Sequence, residues 1–139
     1  MDIRQITPAY AVSPQIDPAD CAEIAAAGFK TIINNRPDAE VPPSHASMAM
    51  RAAAEAAGLT YLENPVTHQG LNMDMVGVQK QGQDDAAGPV LAYCASGTRS
   101  TIVWALSQAG QMDNDAIIAA AGAAGYDIGG MRPQLEMLS

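Results

Sequence analysis

The chain has 139 residues, of which 48% are hydrophobic and 16% are charged, a composition typical of one globular domain with an ordinary core. Fifteen acidic residues against seven lysines and arginines give a formal net charge of -8. This balance argues against nucleic acid and anionic membrane surfaces as partners, because both attract basic proteins. An anionic substrate must therefore be held by a few well-placed groups.

The predicted secondary structure alternates strands with helices along a single domain, residues 1–139. In chain order we predict a strand at 9–13, a helix at 18–27, a strand at 30–34, a helix at 45–57, a strand at 59–63, a helix at 72–83, a strand at 90–94, helices at 98–110 and 113–124, and a helical turn or two within 131–138. This alternation favours a three-layer α/β fold, in which helices flank a mostly parallel central sheet.

Local signals predict three of the helix boundaries. Asp17 and Pro18 have the residue types that open a helix, and Gly28 is placed to end the same helix. Ser44 is predicted to cap the helix at 45–57. Ligands of parallel sheets bind beyond the carboxyl ends of the strands, so loops 35–44, 64–71 and 94–99 should share one functional rim.

The two cysteines, Cys21 and Cys94, are too few for a disulfide framework, so we expect reduced thiols. The first ten residues lack the pattern of a signal peptide, and no run approaches about 18 apolar residues. These features favour a cytoplasmic location. We expect no metal or other cofactor, because neither histidine has a cysteine or carboxylate at ligand spacing.

The most informative segment is VLAYCASGTRS, residues 90–100. A buried strand ends at Cys94, a glycine loop follows, and Arg99 stands where a helix begins. The N–H groups of such a loop form an anion-binding nest, which together with Arg99 favours a thiolate and thus a nucleophile. We therefore predict that Cys94 and Arg99 are catalytic. The predicted substrate-binding residues of the loop are Ala95, Ser96, Gly97 and Thr98.

A free cysteine can also be an inert part of the core. We assign that role to Cys21, which stands at a helix start and has no glycine loop after it.

The loop CASGTRS resembles the active-site loops of rhodanese sulfurtransferases and of protein tyrosine and dual-specificity phosphatases. The whole chain resembles the small family known as the phosphatase-like domain of beta-lactamase-hydrolase-like proteins (DUF442), also described as sulfurtransferases. Three stretches carry the resemblance: INNRPDAE, which ends at Glu40, NPVTHQGL at 64–71, and GPVLAYCASGTRS at 88–100. The resemblance implies a dual-specificity-phosphatase-like fold and an enzyme with a cysteine nucleophile.

Loop length favours sulfur transfer as the main hypothesis. Phosphatase loops of this kind have five residues between cysteine and arginine, whereas this chain has four, as in rhodaneses. Cys94 would take a sulfane sulfur from a small donor, carry it as a persulfide and pass it to a thiol acceptor, with a persulfide-oxidising enzyme as a candidate partner. The alternative is a phosphatase that hydrolyses phosphate esters through a phosphocysteine. A third hypothesis is a non-catalytic anion-binding module.

A phosphatase also needs a general acid to protonate the leaving group. The loop in which related phosphatases carry an aspartate has no carboxylate after Pro65, and His68 is its one titratable side chain. We therefore predict a catalytic role for His68, with an ordinary surface residue as the alternative. Asp38 and Glu40 are candidate acids from a different loop.

Two further residues are predicted near the nucleophile. Ser100 is predicted to donate a hydrogen bond to the Cys94 thiolate, as a catalytic residue, and Thr98 is a second candidate for that bond. Arg36 directly follows a buried strand and is predicted to bind the substrate anion; alternatively, it pairs with Asp38 or Glu40.

Overall fold

The computed structural model describes residues 1–67 and 69–139. At its centre is a five-stranded sheet in the order β1-β2-β5-β3-β4. The strands are β1 (Arg4–Thr7), β2 (Tyr10–Ser13), β3 (Thr31–Asn34), β4 (Thr60–Glu63) and β5 (Val90–Tyr93). Neighbours are parallel except β1, which pairs antiparallel with β2.

Strand β1 is absent from the sequence-based prediction. It is a four-residue edge strand in which only Ile6 is buried, while Arg4 and Gln5 are exposed. A strand this short and this polar has no hydrophobic pattern to reveal it.

Six α-helices in the described ranges cover the two faces of the sheet. They are α1 (Cys21–Ala26), α2 (Ser47–Ala56), α3 (Met73–Asp84), α4 (Thr98–Gln108), α5 (Asn114–Ala123) and α6 (Arg132–Leu138). The predicted first helix began at residue 18, but Pro18–Asp20 form a separate 3-10 turn before α1. Gly28 has a φ of +101°, the left-handed conformation that ends a helix, as predicted.

The predicted cap of α2 is wrong. Residues Pro43–His45 form their own 3-10 turn, so α2 starts too late for Ser44 to reach it. The side chain of Ser44 instead bonds to the ring of His45. The first backbone N–H of α2, that of Ser47, donates to Asp38 Oδ1 at 2.8 Å. A carboxylate from the preceding loop therefore stabilises this helix start.

Alternate residues of the strands face two separate core layers. Ile33 and Ala92 pack in the layer that contains Trp104 of α4, together with residues of α5 and α6. Ile32 and Leu91 pack on the opposite face with residues of α1 and α2. The predicted three-layer α/β fold, mostly parallel and flanked by helices, is confirmed.

The parallel strands end flush at one edge of the sheet. Tyr93 lies beside Ser13 and Asn34, and Asn34 lies beside Glu63. The loops that follow these strands therefore meet at one rim, where the N–H of Val66 donates to the carbonyl of Asn35 at 2.9 Å. Within the described ranges, no helix has the length and apolar character needed to cross a membrane.

Candidate active site

The centre of the rim is the loop between β5 and α4. Cys94 directly follows β5 and is fully buried, and the chain then turns at Gly97, whose φ is +94°. This left-handed conformation favours glycine. It allows the N–H of Gly97 to donate to the Cys94 sulfur at 3.1 Å. The loop thus folds back over its own cysteine.

Several N–H groups around the cysteine have no acceptor among the described residues. Within the part of the chain that the structure describes, the amides of Ala95, Ser96, Arg99 and Ser100 donate to nothing. Arg99 and Ser100 are buried, and buried amides are almost always paired. The loop is therefore a set of donors suited to an anion at the start of a helix.

Arg99 is held by one end of its guanidinium. Nη1 and Nη2 donate to the two carboxylate oxygens of Glu40 at 2.8 and 2.7 Å, and Nη1 also donates to the carbonyl of Val66 at 2.8 Å. These bonds raise the pKa of Arg99 above its ordinary value, although burial opposes them. The planar group has five N–H donors, and the Nε–H and the second Nη2 hydrogen, on its other edge, bond to no described oxygen atom. The nearby Cys94 sulfur also contributes to the raised pKa of Arg99.

Glu40 therefore has a different role from the predicted candidate acid. Hydrogen bonds from Arg99 hold the pKa of its carboxyl below the ordinary value, although burial opposes them. A carboxyl that is ionised and bonded to an arginine is a poor proton donor. Asp38, the other candidate from this loop, accepts the N–H of Ser47 at the start of α2.

Arg36 reinforces the same carboxylate. Its Nε lies 3.4 Å from Glu40 Oε1, its Nη2 donates to the backbone carbonyl of Glu40 at 3.2 Å, and its Nη1 donates to Gln15 Oε1 at 3.2 Å. The structure therefore favours the pairing with Glu40 that the sequence left as an alternative. The side chain of Arg36 is half-buried at the rim.

The predicted bond from Ser100 to the cysteine is not the one in the structure. Ser100 Oγ donates instead to Asn35 Oδ1 at 2.9 Å. A hydroxyl has one proton, so this bond uses its donor. The hydroxyl of Thr98 accepts from Ser96 Oγ at 3.0 Å and so lies with the loop's own side chains. His68, the predicted catalytic histidine, lies outside the described residues.

A buried amide network, which the sequence did not predict, supports the rim. Asn35 Nδ2 donates to the carbonyl of Asn64 at 2.9 Å and to Gln79 Oε1 at 2.8 Å. Gln79 Nε2 donates to the hydroxyl of Tyr10 at 3.0 Å, and that hydroxyl donates to the carbonyl of Ser100. All five residues are at most 4% exposed. The network joins the first residue of β2 and the residues that follow β3 and β4 to α3 and to the start of α4.

Asn35 and Gln79 are 44 positions apart, so no sequence spacing signals this pairing. The only local sign is polarity, since Asn35 directly follows an apolar strand and Gln79 interrupts the inner face of α3. Within residues 1–67 and 69–139, no group of three or more histidine, cysteine or carboxylate side chains is placed to bind a metal ion.

A family model connects this geometry with known proteins. The model described as the phosphatase-like domain of beta-lactamase hydrolase-like protein matches residues 2–111. A beta-lactamase hydrolase-like protein of Xylella fastidiosa, strain Temecula1, is 34% identical over 131 residues. That match covers 93% of this chain and 30% of the relative, so the chain spans about a third of the length of such relatives.

Solved structures have the same fold. A candidate phosphatase of Neisseria meningitidis Z2491 is 37% identical, with a TM-score of 0.83, and the match covers 100% of this chain and 99% of that one. TpbA of Pseudomonas aeruginosa, solved with phosphotyrosine bound, is 18% identical with a TM-score of 0.60, over 97% of this chain and 90% of that one.

These comparisons confirm the predicted phosphatase-like fold of the dual-specificity type. They favour a cysteine-based hydrolase and do not support the preference for sulfur transfer.

Proposed function

The chain belongs to the family of the phosphatase-like domain of beta-lactamase hydrolase-like proteins, and we propose that it hydrolyses phosphate monoesters with Cys94 as the nucleophile. The observation that carries this proposal is the donor set around the cysteine. Four loop amides, those of residues 95, 96, 99 and 100, and two N–H groups of Arg99 have no oxygen acceptor among the described residues. Six donors suit the three outer oxygens of a phosphoryl group, two for each oxygen.

This donor count answers the objection that the loop is one residue short. The free edge of Arg99 consists of Nε–H and one Nη2 hydrogen, and such a fork matches two oxygens of a phosphate. Glu40 occupies the opposite edge and so fixes the guanidinium without filling the anion site. A four-residue loop can therefore still supply a full set of donors to phosphate.

The proposed reaction has two steps. The Cys94 thiolate attacks phosphorus, the bond from phosphorus to the ester oxygen breaks, and the leaving oxygen takes a proton. A water molecule then attacks the phosphocysteine, the S–P bond breaks, and inorganic phosphate leaves. In both steps the loop amides and Arg99 stabilise the charge on the phosphoryl oxygens.

The choice of general acid determines which phosphate esters the enzyme can hydrolyse well. Glu40 is ionised and Asp38 accepts a backbone N–H, so neither carboxyl suits the role in this arrangement. Esters whose leaving oxygen needs little protonation should react best. We propose aryl phosphates such as phosphotyrosine as better substrates than alkyl phosphates, with His68 as the candidate acid to test. A cytoplasmic location would keep the thiol reduced.

Sulfur transfer is a second candidate because the interval between Cys94 and Arg99 is of rhodanese length. In that reaction the thiolate attacks the sulfane sulfur of thiosulfate, and sulfite leaves. A thiol acceptor then takes the outer sulfur of the Cys94 persulfide and regenerates the thiolate. A persulfide-oxidising enzyme would be a suitable partner. Persulfide transfer needs no general acid, which also fits this site.

One experiment separates the two reactions. The protein is incubated with para-nitrophenyl phosphate or phosphotyrosine, and separately with thiosulfate and a thiol acceptor, while turnover and intact mass are followed. Phosphate release that Cys94→Ser abolishes and Cys21→Ser does not would support the phosphatase. Thiosulfate turnover, with a gain of one sulfur at Cys94 and no phosphate release, would overturn it in favour of sulfur transfer. No turnover in either assay would leave an anion-binding module.

A further inference from the structure

The peptide unit between Ser96 and Gly97 is bonded at both of its ends. The hydroxyl of Tyr126 donates to the carbonyl of Ser96 at 2.9 Å, and the N–H of Gly97 donates to the Cys94 sulfur at 3.1 Å. A trans peptide is planar, so its C=O and N–H point in opposite directions. A bond that holds the carbonyl away from the cysteine therefore also aims the N–H at the sulfur.

Tyr126 is itself held firmly. It follows α5 and is 9% exposed, and the guanidinium of Arg4 lies over its ring, 5.6 Å from the centroid. Arg4 also donates to the carbonyl of Ala124 at 3.1 Å, which ties the edge strand β1 to this turn. Burial raises the pKa of the Tyr126 phenol above its ordinary value, so the hydroxyl remains a donor at neutral pH.

Gly97 gives independent support for a close fit. A methyl group on its α-carbon would collide with the Tyr126 hydroxyl, so the approach of this hydroxyl to the loop requires a glycine. The positive φ of Gly97 favours glycine for a second reason. The Tyr126 hydroxyl therefore packs directly against Gly97 of the loop.

We propose that Tyr126 is a positioning residue for the nucleophile: its hydroxyl fixes the Ser96–Gly97 peptide so that the Gly97 N–H stabilises the Cys94 thiolate. A hydrogen bond to the carbonyl also polarises the peptide and strengthens its N–H as a donor. Tyr126 lies beyond residues 2–111, the part matched by the family model, so the C-terminal segment contributes to the site. The proposal goes beyond the proposed function because it applies to any reaction of this thiolate.

The test is Tyr126→Phe, which keeps the ring under Arg4 and removes only the hydroxyl. We expect iodoacetamide to alkylate Cys94 about three- to tenfold more slowly at neutral pH, the range expected for one lost hydrogen bond. Both thiols are buried, and peptide mapping of the alkylated protein measures Cys94 separately from Cys21. The ultraviolet absorbance of the thiolate should fall as well, which a merely structural role would not cause.

Tyr61→Phe is the matched control. Its hydroxyl also has hydrogen bonds, with Asn34 and Ser47, but it lies in the opposite core layer from Tyr126. Cys94 should react at the wild-type rate in this variant. The proposal is overturned if Tyr126→Phe reacts within twofold of wild type, or if Tyr61→Phe slows the reaction equally.

Two further measurements keep the outcomes distinct. All variants are compared at temperatures equally far below their own melting points, so that a general loss of stability is not mistaken for an effect on the thiolate. If the protein hydrolyses phosphate esters, kcat/KM should fall with the alkylation rate. If it hydrolyses none, the proposed function fails, but alkylation still tests the role of Tyr126.

Discussion

Replacing Glu40 with glutamine tests how Arg99 is fixed. Glu40→Gln keeps the shape of the side chain but removes its charge and turns one of its two acceptors into a donor that faces Arg99. The two bonds at issue are 2.7 and 2.8 Å long. The Arg99 side chain is 5% exposed and that of Glu40 is 34% exposed, so the pair is only partly screened by water.

The expected loss in free energy of unfolding follows from this partial burial. A hydrogen bond to a charged group contributes about 1.5–3 kcal/mol, whereas an exposed ion pair contributes about 0–1 kcal/mol. Because a third of Glu40 is exposed, we expect the variant to lose about 1–2 kcal/mol in free energy of unfolding at neutral pH. Inorganic phosphate should also bind more weakly, since Arg99 loses its fixed orientation.

The pH dependence gives a second check. The pKa of Glu40 is lower in the folded than in the unfolded protein. The contribution of ionised Glu40 to the free energy of unfolding is therefore fully present above the pKa of the carboxyl in the unfolded chain, about 4.3. It is lost as the pH falls through the pKa of the folded protein. The free energies of unfolding of the wild type and Glu40→Gln, measured in urea, should differ at pH 7, and this difference should become smaller below about pH 4.

Asp115→Asn is the matched control. The ion pair of Asp115 with Arg132 is equally short, 2.6 Å, but its side chains are 76% and 44% exposed. We expect no measurable change in stability from this variant. The reasoning is refuted if Glu40→Gln loses no more stability than Asp115→Asn, or if its deficit is unchanged at a pH where the carboxyl is protonated.

Three other variants test the surroundings of the site. Gly97→Ala should lose about 1–3 kcal/mol of stability and most of the Cys94 reactivity, because the backbone is left-handed at this position and the new methyl group collides with Tyr126. Thermal unfolding measures the loss of stability, and alkylation measures the loss of reactivity. Gln79→Leu should lose about 1–3 kcal/mol in urea unfolding, since buried amide groups of Asn35 lose their partner; a neutral result would contradict the network. Tyr93→Phe should leave the melting temperature unchanged or raise it, because the buried Tyr93 hydroxyl has no partner among the described residues, and a clear drop would reveal one.

The sequence alone predicted the features that a short stretch of chain controls. Cys94, Gly97 and Arg99 lie within six residues, and the apolar strand before them and the helix after them fix how that stretch folds. The alternation of strands and helices then predicted the sheet and the rim, because parallel strands end at the same edge. These inferences needed no knowledge of distant contacts.

Only the tertiary structure decided which residues complete the site. Arg99 is bound by Glu40, 59 positions away, and the carbonyl of Ser96 by Tyr126, 30 positions away. A single sequence does not indicate which distant residues interact, because these contacts depend on how the packing of the layers brings separate loops together. The predicted bond from Ser100 to Cys94 is wrong for the same reason: the acceptor of the Ser100 hydroxyl, Asn35, lies in the loop after β3. The local sequence predicted Cys94 as the nucleophile, whereas long-range packing decides which groups surround it.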